Sequence, residues 1–391
     1  MVVAHDSALP PADSPELVLV PATPEERVEC IKLHSVAFKG PLDLETYIAR
    51  ENHLVDQSLT RDGLTCWVLV DRNKPPGQRT ILSSCETYRK KAFLAHGGHL
   101  EDIITHGIGT VYSRPEFRGK GYAGRMIKEL SQKLDSWQME KEKRTRSVFS
   151  VLYSDIGKTF YARFGWKPFP ASHISLPAIT EEEYRQGLAK VNLPKPRTLT
   201  ADDVRTCMCG DKIIQRQRDL LRAASEESAR AQVAIAPDID HFRWHWAREE
   251  FYAERLFPNR DPPVVKGAGV DHTGVYCTWN RSFGETVDEN TLYILHWEFD
   301  QPIGPTQTKA TVEAMAAILR RAQLEAHGSN MAHVEFWNPT PLVLEAVALL
   351  EPTAKLVHRE QSSIPCLKWN GAEQDLGNDV EWSLNEKYGW C

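Results

Sequence analysis

Apolar positions recur along this chain with two periods, and the switches between them mark out strands and helices. Leu17 to Val20 reads as a short strand. Thr23-Pro24-Glu25-Glu26 then predicts a helix start, with Thr23 as N-cap, Pro24 at the first position and Glu26 reaching back. That helix runs to about Phe38, Gly40-Pro41 ends it, and a second helix follows through Tyr47 and Ile48. Cys66 to Val70 and Thr80 to Tyr88 predict a hairpin around Pro75-Pro76-Gly77. Ile108 to Ser113 is strand-like and is stopped by Pro115, which cannot donate a ladder hydrogen bond. From Tyr122, the residues Tyr122, Met126, Leu130, Leu134 and Trp137 recur at three or four positions, the stripe of one buried helix face. Val148 to Tyr153 is a further strand, and residues 157–165 read as a helix closed by Gly165.

Residues 192–199, NLPKPRTL, look like an exit from this first half, and Thr200 can cap a helix with Asp202 and Asp203 in its first turn. Residues 226–257 are aromatic and helix-rich, followed by strands over 274–278 and 292–299. A helix over 311–325, a strand over 333–336 and a helix over 341–350 come next. Eight of the eleven tryptophans lie beyond residue 240, enough large aromatics for a core of its own.

At 391 residues two domains are the default. The division expected is a flexible tail over 1–16, a first domain over 17–197 and a second lobe over 198–391. A net charge of −6 argues against a general nucleic-acid binder, which would carry a basic face. No 18-residue apolar run predicts a membrane span, and the N-terminus carries no secretory pattern. The eight cysteines contain no C-x-x-C pair, so neither a zinc ribbon nor a disulfide scaffold is expected, and a reducing, cytoplasmic location fits. His241 and His245 are four apart on a helix, but no third ligand is evident, so packing is expected rather than metal binding. Oligomeric state is not legible.

Between the 108–113 strand and the helix after it sits Arg118-Gly119-Lys120-Gly121-Tyr122-Ala123. Backbone N–H groups of such a loop, leading into a first helical turn, form an anion site, and Arg118 and Lys120 add positive charge. No Gly-Lys-Ser/Thr follows a four-residue gap and no Gly-x-Gly-x-x-Gly occurs, so P-loop and dinucleotide readings fail. The pattern Arg/Gln-x-x-Gly-x-Gly/Ala resembles the pyrophosphate signature of the GNAT superfamily of N-acetyltransferases. The run Phe160-Tyr161-Ala162-Arg163-Phe164-Gly165-Trp166 resembles the same family's short helix, and the element order matches over about residues 17–197. The resemblance implies an α+β fold with a central mixed, splayed sheet flanked by helices. The second lobe partly echoes the first and is expected to be a degenerate GNAT-like lobe covering the substrate side. Acetyl-CoA is the implied cosubstrate, with no metal. Its contacts would be Arg118, Gly119, Lys120, Gly121, Tyr122 and Ala123, with Val111 and Ser113 on the splayed strand.

A narrower similarity, carried by Ser84-Cys85-Glu86-Thr87-Tyr88, the tryptophan-rich second half and the ending Asn385 to Cys391, is to fungal L-lysine N-epsilon-acetyltransferases of lysine catabolism. It implies the side-chain amine of free L-lysine as acceptor. Peptide, polyamine or aminoglycoside acceptors remain alternatives, as does a silent acetyl-CoA-binding or scaffold protein.

Lysine holds its proton to a pKa near ~10.4, so a base must remove it before attack on the thioester, and the leaving thiolate must be met by an acid. Tyr161 stands at the family's general-acid position; otherwise it packs helix against sheet. Glu86, inside the presumed sheet, could hold the lysine ammonium or pass on its proton; otherwise it pairs with Arg89 or Lys90. His106 lies near where some GNAT enzymes carry a base; otherwise it faces solvent or bonds the backbone. The tail near Cys391, anchored by Trp382 and Trp390, could close the acceptor pocket; otherwise a last strand closes the second sheet.

Overall fold

A computed structural model describes residues 9–139, 146–299, 308–371 and 379–390. The first half contains β1 (Leu17–Pro21), α1 (Pro24–Phe38), α2 (Leu44–Val55), β2 (Leu64–Asp71), β3 (Ser83–His96), β4 (His99–Tyr112), α3 (Tyr122–Leu134), β5 (Ser147–Ser154) and β6 (Lys167–Pro168). It continues through β7 (Ser172–Pro177), α4 (Glu181–Val191), β8 (Arg197–Leu199), α5 (Ala201–Met208), α6 (Asp211–Glu227), β9 (Ala231–Ile235) and α7 (Ile239–Leu256). Then come β10 (Gly267–Val270), β11 (Val275–Ser282), β12 (Thr291–Phe299), α8 (Thr308–Gly328), β13 (His333–Trp337), α9 (Pro341–Leu350), β14 (Val357–His358), β15 (Ile364–Trp369) and β16 (Val380–Trp382).

These strands make two mixed sheets. The first has the order β1-β2-β3-β4-β5-β15-β6, with β9 joining β3 and β16 joining β9; the second has the order β14-β7-β13-β12-β11-β10-β8. Along each path every neighbour is antiparallel except one pair, β4–β5 in the first and β12–β13 in the second. The second sheet therefore repeats the strand directions of the first. Each sheet also borrows from the other half of the chain: β7 pairs with β13, and β15 pairs with β5. The chain enters the second sheet at Ser172, ahead of the division expected at 197/198, and returns to the first through β9, β15 and β16.

Helix α3 buries Tyr122, Met126, Ile127, Leu130 and Leu134 against Trp67 and Leu69 of β2 and Leu17 and Leu19 of β1. The stripe read from the sequence is the face it buries as far as Leu134, where the helix ends; Trp137 lies beyond that end and is partly buried. On the second sheet, α8 contributes Met315, Ile318 and Leu319 to the core. A third cluster joins the halves: Phe149 and Val151 of β5 meet Phe242 and Trp246 of α7 and Leu295 of β12. Each such side chain removed from water stabilises by about 1.5–3 kcal/mol, so the lobes form one packed body.

Three expectations are corrected. Residues 157–165 are not a regular helix: Gly157 at φ +76° breaks the run, and only Tyr161–Phe164 coil, as a 3₁₀ turn closed by Gly165 at φ +98°. The end of the presumed tail is held, since Arg125 donates to the carbonyls of Ala12, Ser14 and Leu17, and Tyr122 donates to that of Pro10. Residues 1–8 lie outside the described residues. The last described strand, β16, pairs with β9 in the first sheet and does not close the second.

Candidate active site

The loop before α3 is shaped for an anion. Gly119 and Gly121 take φ +75° and +88°, which a side chain would strain, and Gly121 caps α3 with no side chain of its own. The amides of Gly119, Gly121, Tyr122, Ala123 and Gly124 meet no protein acceptor among the described residues. A helix N-terminus with free amides attracts negative charge. The loop also leaves room: a Cβ at Gly119 would meet nothing within 4 Å, whereas one at Gly124 would stand 3.1 Å from the Phe164 ring. Gly124, which sequence reasoning passed over, thus lets the 3₁₀ turn carrying Tyr161 pack on α3. Arg118 bends over the Tyr112 ring, its Nε donating to the Ser113 carbonyl at 3.3 Å, and Lys120 lies over Phe117. These residues fit the diphosphate of an acyl-CoA.

A fork lies beside this loop. β4 and β5 pair in parallel only from Ile104 to Ile108; beyond Ile108 and Leu152 the two part, β5 keeping only β15 on its far edge and β4 keeping only β3. The β5-facing backbone of Gly109 to Tyr112 is therefore open. Val111 lies on the open stretch, and the Ser113 hydroxyl bonds that of Ser83 at 2.8 Å. The cause is a bulge between Ser84 and Glu86, opposite Thr110 at φ +53°. A β-branched residue in that region is strained, and bulges of this kind re-aim side chains.

Here the bulge aims Thr110 at Glu86. The Glu86 carboxylate is 2% exposed and accepts from the hydroxyls of Thr110 and Tyr88, both at 2.9 Å. It pairs with neither Arg89 nor Lys90; Lys90 donates instead to the Gly389 carbonyl at 2.5 Å. Burial pushes the Glu86 carboxyl above its usual range and Glu51 pushes it further, against the Arg27 charge and the two hydroxyls.

Tyr161 sits on the other face of the sheet, in one cluster with Ile108 and Leu152, the residues at which the fork opens. Phe160 meets it edge-on at 4.9 Å. Its hydroxyl has no hydrogen-bond partner among the described residues. Burial holds the phenol well above its ordinary pKa, and Cys85, Asp155 and Cys366 act the same way. It stays protonated near neutrality. Tyr161 and Glu86 thus flank the fork from opposite faces.

His106 does not join them. It is 0% exposed, on the α3 face with Ile108, and its ring nitrogens meet Gln138 at 3.3 Å and Ser147 at 3.4 Å. The histidine neither faces solvent nor bonds the backbone: two side chains hold it, away from the fork's open side. His241 bonds Asp238 at 2.8 Å and His245 meets the Tyr388 carbonyl at 3.2 Å, and no metal-suited cluster is found among the described residues.

A cavity of about 330 Å³ opens on the Glu86 face. Gly109 and Thr110 of β4 form one wall, Tyr47, Arg50 and Glu51 of α2 another, and Trp244 and Arg248 of α7 a third. Tyr88, Asp155 and Glu285 complete the charged and polar lining. Trp390 also lines it, so the tail does reach this pocket. Cys391, the residue expected there, lies outside the described residues.

Residues 173–391, more than half of the chain, match the family profile described as the LYC1 GNAT-like C-terminal domain. The chain belongs to this LYC1-like GNAT family. An uncharacterized protein of Saccharomyces cerevisiae, YGR111W, is 25% identical over 397 aligned positions, covering 90% of this chain and 92% of that protein. A lysine acetyltransferase of Yarrowia lipolytica is 28% identical over 138 positions, about a third of either chain (32% and 34%). Among solved structures, Saccharomyces cerevisiae N-myristoyltransferase with bound myristoyl-CoA superposes with a TM-score of 0.50 at 11% identity, over 93% of this chain and 85% of that one, a likeness of fold alone. The GNAT fold with a second GNAT-like lobe is the architecture found. No described helix is long and apolar enough to cross a membrane.

Three buried histidines of this LYC1-like chain, His34, His106 and His245, are expected to make its stability depend on acid. Burial lowers His106 and His34 to a pKa of about 4, from 6.5. The unfolded chain then binds more protons than the native one between about pH 6.5 and 4, so stability is fully present above 6.5 and falls as pH drops. Each group contributes up to ~3 kcal/mol. His106→Asn is expected to flatten the pH dependence of the urea unfolding free energy in that window. Identical slopes for the two proteins would remove His106 from the account.

Proposed function

We propose that this protein is an acetyl-CoA-dependent N-acetyltransferase whose acceptor is the side-chain amine of free L-lysine, acting in the cytoplasm. Membership of the LYC1-like GNAT family supports the transferase class. The observation carrying the reading is the fork, with Tyr161 on one face, Glu86 on the other and a cavity of about 330 Å³ on the Glu86 side. The cavity stands at the small end of the ~300–1,000 Å³ usual for small-molecule sites, which favours an amino acid over a polypeptide. Partial likeness to the Yarrowia lysine acetyltransferase supports lysine.

Acetyl-CoA supplies an activated acyl group when bound. The amides of Gly119 and of residues 121–124 hold its diphosphate, and the open backbone around Val111 guides the arm and offers an N–H to the thioester carbonyl, where negative charge develops during attack. Glu86 takes the proton of the incoming ammonium, directly or through a water held by Thr110 and Tyr88. The Tyr161 hydroxyl donates to the departing thiolate. Trp244, Trp390 and Tyr47 exclude water from the amine.

The test is thiol release from acetyl-CoA in the presence of L-lysine, spermidine and a lysine-bearing peptide, with products identified by mass spectrometry. Lysine-dependent release with acetylation at Nε is expected. Release with the peptide or polyamine but not lysine would overturn the acceptor, and no release above the amine-free rate would overturn the reaction.

A further inference from the structure

The acceptor cavity holds a guanidinium with no ion-pair partner among the described residues. Two arginines line it, Arg50 and Arg248. Arg50 is committed: its nitrogens donate to Glu51 and to the Tyr252 hydroxyl, and it lies over the Tyr47 ring at 4.4 Å. Arg248, on α7 one turn from both Trp244 and Tyr252, makes no ion pair and no hydrogen bond among the described residues. Its contacts are the faces of Tyr252 at 5.2 Å and Trp390 at 5.8 Å.

A second cation lies behind Trp390. Lys387 is 6% exposed, with its Nζ 3.9 Å from the Trp390 ring centroid, 4.2 Å from Trp337 and 4.5 Å from Tyr293, and it too forms no ion pair among the described residues. Burial lowers its pKa to about 7; Glu335 opposes this, while Arg248 and Arg359 add to it. Burial likewise lowers Arg248, with Arg50 acting the same way and Tyr252 and Glu51 opposing. Charges inside a protein are ordinarily paired; Arg248, half-buried and unpaired among the described residues, faces the space a substrate would fill.

We infer that Arg248 receives the carboxylate of the acceptor amino acid, so that the cavity selects amino acids over simple diamines. This deepens the proposed function and rests on its reading of the cavity as the acceptor site. A planar guanidinium grips a carboxylate through two parallel hydrogen bonds, and tyrosine and tryptophan faces keep it flat. Glu51, Asp155 and Glu285 supply negative charge for the α-ammonium, while Leu54, Trp244 and Trp390 cover the methylene stem.

Cadaverine is lysine without its carboxylate, so the pair isolates this contact. Binding of each is measured by calorimetry on the full chain, and turnover with acetyl-CoA in parallel. The parent chain is expected to bind lysine about 10²-fold more tightly than cadaverine. Arg248→Met is expected to lose that factor for lysine, chiefly through KM, to leave the KM for acetyl-CoA unchanged, and to bind cadaverine as well as the parent does or better, since a like charge has been removed. Arg248→Lys should recover only part, since it keeps the charge and loses the paired geometry. Thermal melting guards against misfolding: removing an unneutralised cation should leave Tm unchanged or raise it, whereas a merely structural arginine would lower it. Equal affinity of the parent chain for both amines, equal losses of both in Arg248→Met, or no lysine binding at all would overturn the assignment. Because binding is read without turnover, lysine bound selectively but not acetylated would sustain the carboxylate site and sink the transfer reading. Amines acetylated regardless of a carboxylate would do the reverse.

Discussion

Glu86→Gln is expected to lower kcat/KM for the amine by about 10²- to 10³-fold while acetyl-CoA affinity holds. The substitution keeps the shape and can keep the hydroxyl contacts from Thr110 and Tyr88, and removes the negative charge together with the ability to take a proton. That loss corresponds to ~3–4 kcal/mol of transition-state stabilisation. The pH profile separates a base from a mere binding group. Burial raises the Glu86 carboxyl, so the acid limb of kcat/KM in the parent chain should lie above the ~4.3 of an ordinary glutamate. In the glutamine variant that limb should vanish. An unchanged limb with a raised amine KM would make Glu86 a counter-ion to the ammonium instead.

Tyr161→Phe should reduce kcat by roughly 10- to 10²-fold, with both KM values nearly constant. The variant deletes one hydroxyl that has no partner among the described residues, and Phe160 and Phe164 still fill the turn against α3. A structural penalty is therefore small, and melting temperature should not move. Leaving-group chemistry supplies the control. An acetyl thioester of a more acidic thiol needs less help in departing, so the gap between Tyr161 and Phe should narrow with it. A gap independent of the thiol would mean that the hydroxyl orients the acyl chain and donates nothing.

The parts of the fold legible in the sequence are those specified locally. Thr23 and Glu26 form the capping box expected of them, Thr200 forms one with Asp203, and the α3 stripe is the buried face. What was missed depends on distant partners. Strand β3 was read only to Tyr88, because Arg89, Lys90 and Lys91 break the apolar alternation. Lys90 is nonetheless buried, since the Gly389 carbonyl, far along the chain, takes its charge-assisted hydrogen bond. Strand β9 was hidden in a stretch read as helical, because five residues, AQVAI, cannot announce a strand except by the β3 edge waiting for them.

The site divides the same way. The 118–123 loop is a contiguous motif, and Gly119 and Gly121 take the positive φ that such a turn requires. Thr110, Arg248 and Trp390 reach the cavity only through tertiary packing, from three separate elements, and no spacing relates them. His106 carries a plausible residue type at a plausible position, yet the alternation of β4 turns it to the α3 face, opposite the cavity, where Gln138 and Ser147 hold it; its register with Ile108, two residues on, is the signal for that.

The exchange of β7 and β15 has a consequence for how this protein is made. The layer carrying the cofactor loop cannot gain its β15 neighbour until residues 364–369 have left the ribosome, and β7 must wait for β13. Such distant pairings are slow to find, and their open edges invite association with other chains while they wait. The first sheet is thus completed only after the later part of the polypeptide has been made, so the two halves finish folding together.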